Sequence, residues 1–187
     1  MILSVFRRGR HHHNIRALYG AIVAQARSMT FYTRHGVADS LDGRFELIVL
    51  HLVLVLRRLS GEQDARAQPA TAPGSGRIGQ QLFDLFCRDL DDNLREMGVG
   101  DLAVPREMRK FGEAFYGRQA AYGAALDAAD EEALEKALAR NILGIVGTGE
   151  NAAPLARYAR TAAEQLDGEA DDELLAGRVV FPDPESF

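Results

Sequence analysis

Between Gln81 and Asp101 the chain reads QLFDLFCRDLDDNLREMGVGD, and this stretch constrains the fold more than any other. Leu82, Phe86, Leu90, Leu94 and Met97 recur at spacings of four and three, with Phe83 and Cys87 beside them. That period puts them on one helical face and predicts a buried stripe about 100° wide. Asp84, Arg88, Asp91, Asp92 and Arg95 fall on the other faces, where the two arginines can meet aspartates three or four residues away. Gly98 is placed to stop the helix in a left-handed cap, with Val99 folding back on the last turn, and Gly100-Asp101 to turn the chain. Periodicity leaves two readings open: a core helix with a solvated ionic face, or an acid–arginine surface shaped to meet a partner.

A chain of 187 residues can bury a real core in one domain. The net charge of -5 hides an asymmetry: residues 1–60 carry nine Arg against three acids, and residues 61–187 carry 13 Lys and Arg against 24 acids. The basic first third suits an anionic membrane or RNA surface, and a high-GC genome accounts for the arginines equally well. The single cysteine, Cys87, cannot form an internal disulfide and reads as a small buried hydrophobe. No run reaches the roughly 18–20 apolar residues of a membrane span. MILSVFRRGR places apolar residues before charges, the reverse of a signal peptide, so a cytoplasmic protein is expected.

Along the chain, residues 1–13 read as a flexible basic tail, and His11-His12-His13 give no metal site. Asn14 is placed to cap a first helix running to Arg27. Ser28 to Gly36 is a connection. Asp39-Ser40-Leu41-Asp42 resembles a capping box ahead of a helix reaching Leu59. Leu47 to Leu56 is apolar all round, so this helix should be central, with His51 as a hydrogen-bonded core histidine and Arg57-Arg58 near its C-terminus. Residues 60–79, rich in Ala, Pro, Gly and Ser, read as a mobile internal loop. Val104-Pro105 starts the next helix, where Gly117 and Gly123 suggest close helix–helix contact. Asp130 caps a helix through Leu143, Gly144, Gly147 and Gly149 break the chain, and Asn151 and Pro154 open another. A short helical turn at Glu173–Leu175 ends at Gly177. Val179 to Pro184 should be an extended tail packing Val180 and Phe181 onto the bundle.

The expected fold is therefore all-α: a single-domain helical bundle of about six to seven helices, spanning residues 14–187, with a long loop and an extended C-terminal tail. No phosphate-binding loop, zinc spacing or nucleophilic triad is written in the chain; Gly98-Val-Gly100 and Gly147-Thr-Gly149 are bare GxG patterns. The one enzymatic reading is magnesium-dependent prenyl-diphosphate chemistry at Asp89, Asp91 and Asp92. Such sites use two facing aspartate motifs; here there is one, interleaved with Arg88 and Arg95.

Residues 88–91 (RDLD) and 93–101 (NLREMGVGD) resemble the signature of the ubiquinol–cytochrome c chaperone family, assembly factors of the respiratory bc1 complex. The likeness continues in family order through Tyr19–Arg27, Phe31-Tyr32, Gly36-Val37, Asp39–Phe45, His51, Arg57–Leu59, Phe115–Arg118, Ala121-Tyr122, Leu174–Gly177 and Phe181-Pro182. The insert at 60–79 and the histidine-bearing tail depart from it. The resemblance implies a non-enzymatic chaperone for bc1 assembly; with no evident import segment or membrane anchor, a bacterial relative is expected, and the residues lead to no expected cofactor or metal. Its expected partner is newly made cytochrome b or another bc1 subunit; a second assembly factor and an anionic membrane surface are further candidates, and DNA is not one. Its expected place is the cytoplasm, at the periphery of the inner membrane.

A protein that holds apolar helices needs a concave apolar surface ringed by charge. The expected client-binding residues are Asp42, Arg44, Phe45, Asp89, Arg95, Glu96, Asp101, Phe115, Tyr116, Arg118 and Tyr122. For the charged members, a buried ionic network that fixes helix register is the competing role. The alternative function is a general helical adaptor docked on the inner membrane by the basic first third.

Overall fold

The computed structural model describes residues 2–65, 75–144 and 152–187, with side chains from His13 to Ser60 and from Ile78 onward within those spans. All regular structure among the described residues is helical, as expected from the sequence. The long helices are α1 (Ile2–Ala26), α3 (Leu41–Ala65), α4 (Ser75–Glu96), α5 (Val104–Asp127) and α7 (Ala153–Gly168). Short helices α2 (Met29–Thr33), α6 (Glu131–Leu138) and α8 (Asp171–Leu175) join them. A π-turn over Ala139–Leu143 extends α6, and a 3-10 turn at Pro184–Ser186 ends the chain.

Helix α3 is the hub, packing against α1, α4, α5 and α7. Its residues from Val49 to Leu56 are all buried, which is why the run shows no polar face in the sequence. Ser40 caps it through its Oγ, which accepts from the Gly43 amide at 3.1 Å. Gly43 itself is needed: a Cβ there would sit 2.1 Å from the Ala38 carbonyl oxygen, where the chain folds back onto the first turn. Gly98 takes φ +84° as the left-handed cap of α4, and the Val99 amide bonds back to Leu94 O at 3.0 Å. Asp130 caps α6 by accepting from the Ala133 amide.

Several boundaries differ from the sequence reading. Helix α1 begins at Ile2, not after a tail ending at His13. Only Gly9 opposes helix there, and no proline interrupts it. Asn14 is therefore inside the helix, where its Nδ2 donates to Leu175 O at 2.8 Å and ties α1 to α8. The expected loop at 60–79 is helical at both ends: α3 continues to Ala65, and α4 starts at Ser75 and buries Ile78 and Gly79 against the core. Its centre, residues 66–74, lies outside the described residues, as do Gly147, Gly149 and Asn151. The connection after Ser28 contains α2, which buries Phe31.

Arg57 and Arg58 do not end α3. They pin it to the ends of other helices. Arg57 bridges Asp127 of α5 and Asp167 of α7. Arg58 donates to the Leu166 and Glu169 carbonyls and pairs with Asp171, satisfying acceptors that the end of α7 leaves open. The C-terminal tail packs Phe181 edge-on to His51 and Phe187 onto Tyr158, while Val180 points to solvent.

Close contact at Gly117 and Gly123 is not found: a Cβ at either would meet nothing within 4 Å. Replacing each by alanine should thus raise stability by about 0.5–1 kcal/mol through helix propensity and the unfolded chain. Denaturant unfolding of the two single variants checks this, and a lowered midpoint would show that α5 has a close neighbour there.

Candidate functional site

Helices α1, α3, α4 and α5 diverge around a groove of about 620 Å³. Three rings make its floor. Phe45 of α3 stacks on Phe86 of α4 at 6.1 Å, and both meet Phe111 of α5, at 5.5 and 5.3 Å. The wall on α4 is Leu90 and Leu94, with Met97 just past the end of the helix. Val23 and Ile48 add apolar surface from α1 and α3. The stripe of α4 therefore splits: Leu82 and Phe86 enter the core, Leu90 and Leu94 are half-buried in the groove, and Met97 is exposed at its mouth. The expectation of one buried stripe fails beyond Phe86, because no helix among the described residues covers α4 there.

Charged and hydrogen-bonding groups ring this floor. The Tyr19 hydroxyl donates to Asp89 Oδ2 at 2.6 Å. Burial first, and then that bond and the nearby carboxylate, push the Tyr19 phenol well above its usual range, so it stays a donor. Arg44 pairs with Asp39 at 2.7 Å, and Lys110 with Glu107 at 2.9 Å. Arg118 holds Glu46 through two bonds of 2.7 and 2.5 Å, with most of both side chains removed from solvent. Burial raises the Glu46 carboxyl above the ordinary carboxylate range, and the guanidinium pulls it back in part.

Of the residues expected to meet a client, Asp42, Arg44, Phe45, Asp89 and Arg118 line the groove together. Phe115 and Tyr122 are core residues, about 1% exposed, and support the fold from behind. Tyr116 is exposed beside Phe83, and neither lines the groove. Arg95 reaches Asp91 at 2.7 Å and also Asp101, on the exposed end of α4, where Glu96 is exposed as well. The sequence reading missed Tyr19, Phe86, Leu90, Leu94, Met97 and Phe111 as groove residues, because nothing in the period of a stripe separates a groove wall from a core contact.

Asp89, Asp91 and Asp92 do not form a common acidic site: Asp89 receives the Tyr19 hydroxyl and Asp91 receives Arg95. Among the described residues no group of three or more His, Cys, Asp or Glu is arranged to hold a metal. Cys87 is half-buried, and burial followed by the charge of Asp84 raises its thiol pKa, as for an inert side chain. No helix among the described residues is long and apolar enough to cross a membrane.

Among curated proteins none matches the chain. The family model described as "Ubiquinol-cytochrome C chaperone" matches residues 33–181. The crystal structure of the Cbp3 homolog from Brucella abortus is similar over 99% of this chain and 98% of that one, with 37% identity and a TM-score of 0.84. The groove helices α3, α4 and α5 all lie within the matched span. The chain belongs to the ubiquinol–cytochrome c chaperone family.

Proposed function

We propose that this protein is a non-enzymatic assembly chaperone of ubiquinol–cytochrome c reductase, and that its groove receives an apolar helix of newly made cytochrome b. Family membership supports the assembly role. The observation that carries the client reading is the groove itself: an aromatic and aliphatic floor left open between four helices, with ion pairs on its rim. A concave apolar floor rimmed by charge has the shape that receives an amphipathic or apolar helix. A helix presenting Leu, Ile and Phe on one side would bury that side on Phe45, Phe86, Phe111 and Leu94, while the rim charges orient its ends.

Deleting the gene in its host and recording reduced-minus-oxidised spectra of the membranes tests the role. The b- and c1-type signals of the complex should disappear while other cytochromes persist. Wild-type protein should restore them, and Leu94→Glu should not, because it places a carboxylate in the groove wall. Leu94 is only half-buried, so this variant should melt close to wild type. Unchanged content of the complex in the deletion strain would sink the proposal.

A further inference from the structure

The C-terminal tail is held as proteins hold a peptide. Residues 178–183 run without helix, and the 3-10 turn Pro184–Ser186 follows. Among the described residues no backbone–backbone hydrogen bond joins residues 179–187 to the helices. Side chains of the bundle grip the tail's backbone instead. Gln165 Nε2 donates to Val180 O at 3.2 Å, Gln25 Nε2 to Pro182 O at 3.0 Å, and His35 Nε2 to Pro184 O at 2.8 Å. The Val180 amide donates to Glu169 Oε1 at 2.9 Å. Alternate carbonyls are thus taken by donors from α7, from α1 and from the segment after α2. Phe181 and Phe187 anchor the two ends, the first edge-on to His51 at 5.1 Å and the second edge-on to Tyr158 at 5.8 Å. Main-chain hydrogen bonds combined with seats for chosen side chains are the means by which proteins take extended segments.

The tail leaves part of this cleft unused. His35 is 3% exposed, and its Nδ1 has no hydrogen-bond partner. Glu169 Oε2 is buried without one as well, next to the oxygen that holds the Val180 amide. A carboxylate oxygen is satisfied only by a donor. The side chain of Val180, the residue that Glu169 grips, carries none and is 61% exposed. The cleft therefore matches a segment with a hydroxyl at this place better than it matches its own tail.

We propose that this cleft is a docking site for an extended segment of a partner protein, and that the chain's own tail occupies it as a competing ligand. The partner segment carries Ser or Thr in the place of Val180, then Phe-Pro as at Phe181-Pro182, and a second aromatic residue in the place of Phe187. Its hydroxyl donates to Glu169 Oε2 while its amide donates to Oε1. The tethered tail competes at the high effective concentration of an intramolecular ligand. A segment that fits better, or one delivered by a partner already bound elsewhere on the protein, displaces it. Docking here requires neither the groove nor the assembly role.

The test uses the full chain with a specific protease site inserted between Arg178 and Val179, and fluorescein-labelled synthetic peptides of residues 179–187. After cleavage the chain should keep its helical circular dichroism, retain the tail without a covalent link, and exchange it for labelled tail peptide. The Val180→Thr peptide should compete about tenfold better than the tail peptide, as one added hydrogen bond to a carboxylate implies. A peptide with Phe181→Ala and Phe187→Ala should fail to compete. Unfolding of the cleaved chain in excess tail peptide would make the tail a structural part of the bundle and overturn the proposal. So would a folded cleaved chain that exchanges no peptide. Equal competition by the tail and Val180→Thr peptides would leave the tail as the best ligand and remove the partner. A dimer of the uncleaved chain that labelled tail peptide dissociates would give the cleft to the tail of a second copy, which also overturns the assignment.

Discussion

Replacing Arg118 by alanine is expected to destabilise the fold by about 3 kcal/mol, the lower end of the range for breaking a buried ion pair. Arg118 clamps Glu46 with two parallel bonds of 2.7 and 2.5 Å, and the side chains are 19% and 13% exposed. Without the guanidinium, the Glu46 carboxylate stays in a site where burial already disfavours its charge. The carboxyl then takes up a proton, or α3 and α5 part to admit water. Both responses cost stability. Replacing both residues by leucine should cost much less, because no uncompensated charge is left behind.

Charge reversal at Arg95 is the contrasting case. Arg95 pairs with Asp91 and Asp101 on an exposed helix end, so Arg95→Glu should leave the unfolding midpoint nearly unchanged. The two arginines therefore divide by burial: Arg118 ties α5 to Glu46 of α3 in a mostly buried pair, and Arg95 pairs at the surface. Guanidinium unfolding of these variants measures this. An Arg118→Ala midpoint as mild as that of Arg95→Glu would refute the structural role of the pair.

Acidification from pH 6.5 to 4 should cost about 3 kcal/mol through His51 alone. The ring is fully buried. Its Nδ1–H donates to Leu47 O at 2.7 Å, which leaves Nε2 to accept from the Tyr158 hydroxyl at 2.7 Å. Tyr158 Oη in turn accepts from Gln25 Nε2 at 3.0 Å, and Gln25 also donates to Pro182 O at 3.0 Å. A second proton on His51 would point at the Tyr158 hydroxyl and force its hydrogen away without an acceptor. Burial accordingly lowers the His51 pKa to about 4, with the Leu47 bond opposing.

The sign follows from proton counting. Above pH 6.5 both folded and unfolded chains carry a neutral ring, and the group has no effect. Between 6.5 and about 4 only the unfolded chain takes the proton, so each unit of pH removes up to about 1.4 kcal/mol. Urea unfolding of wild type and His51→Gln at several pH values between 7 and 5 checks this, since most carboxylates remain charged there. The variant should be less stable at pH 7 but show a flatter pH dependence. Equal slopes would mean that His51 is not the acid-sensitive group.

Much of the secondary structure was legible in the chain. The four-and-three spacing from Leu82 fixed α4 as a helix, Gly98 its end, Asp130 the start of α6, and Pro105 the first turn of α5. These signals are local: a cap, a proline or an apolar period acts within one or two turns, and sequence neighbours supply all of it. The unbroken apolar run from Leu47 to Leu56 likewise required α3 to be surrounded, and His51 to be a core histidine.

What the chain could not decide was what stands opposite each face. An apolar period makes no distinction between residues that face a helix and residues that face a gap, so Phe86 and Leu94 read alike although α4 buries the first and opens the second onto a groove. Phe115, Tyr116 and Tyr122 read as one aromatic block, yet two enter the core and Tyr116 stays outside. Gly117 and Gly123 carry the composition of a close contact and face open space. Arg57 and Arg58 suit a helix end, but the ends they serve belong to α5 and α7, more than sixty residues along the chain. Local sequence sets which residues are helical and which face is apolar. The angle at which four helices part, which makes the groove, is set by packing between segments far apart in sequence, and only the tertiary structure fixes it.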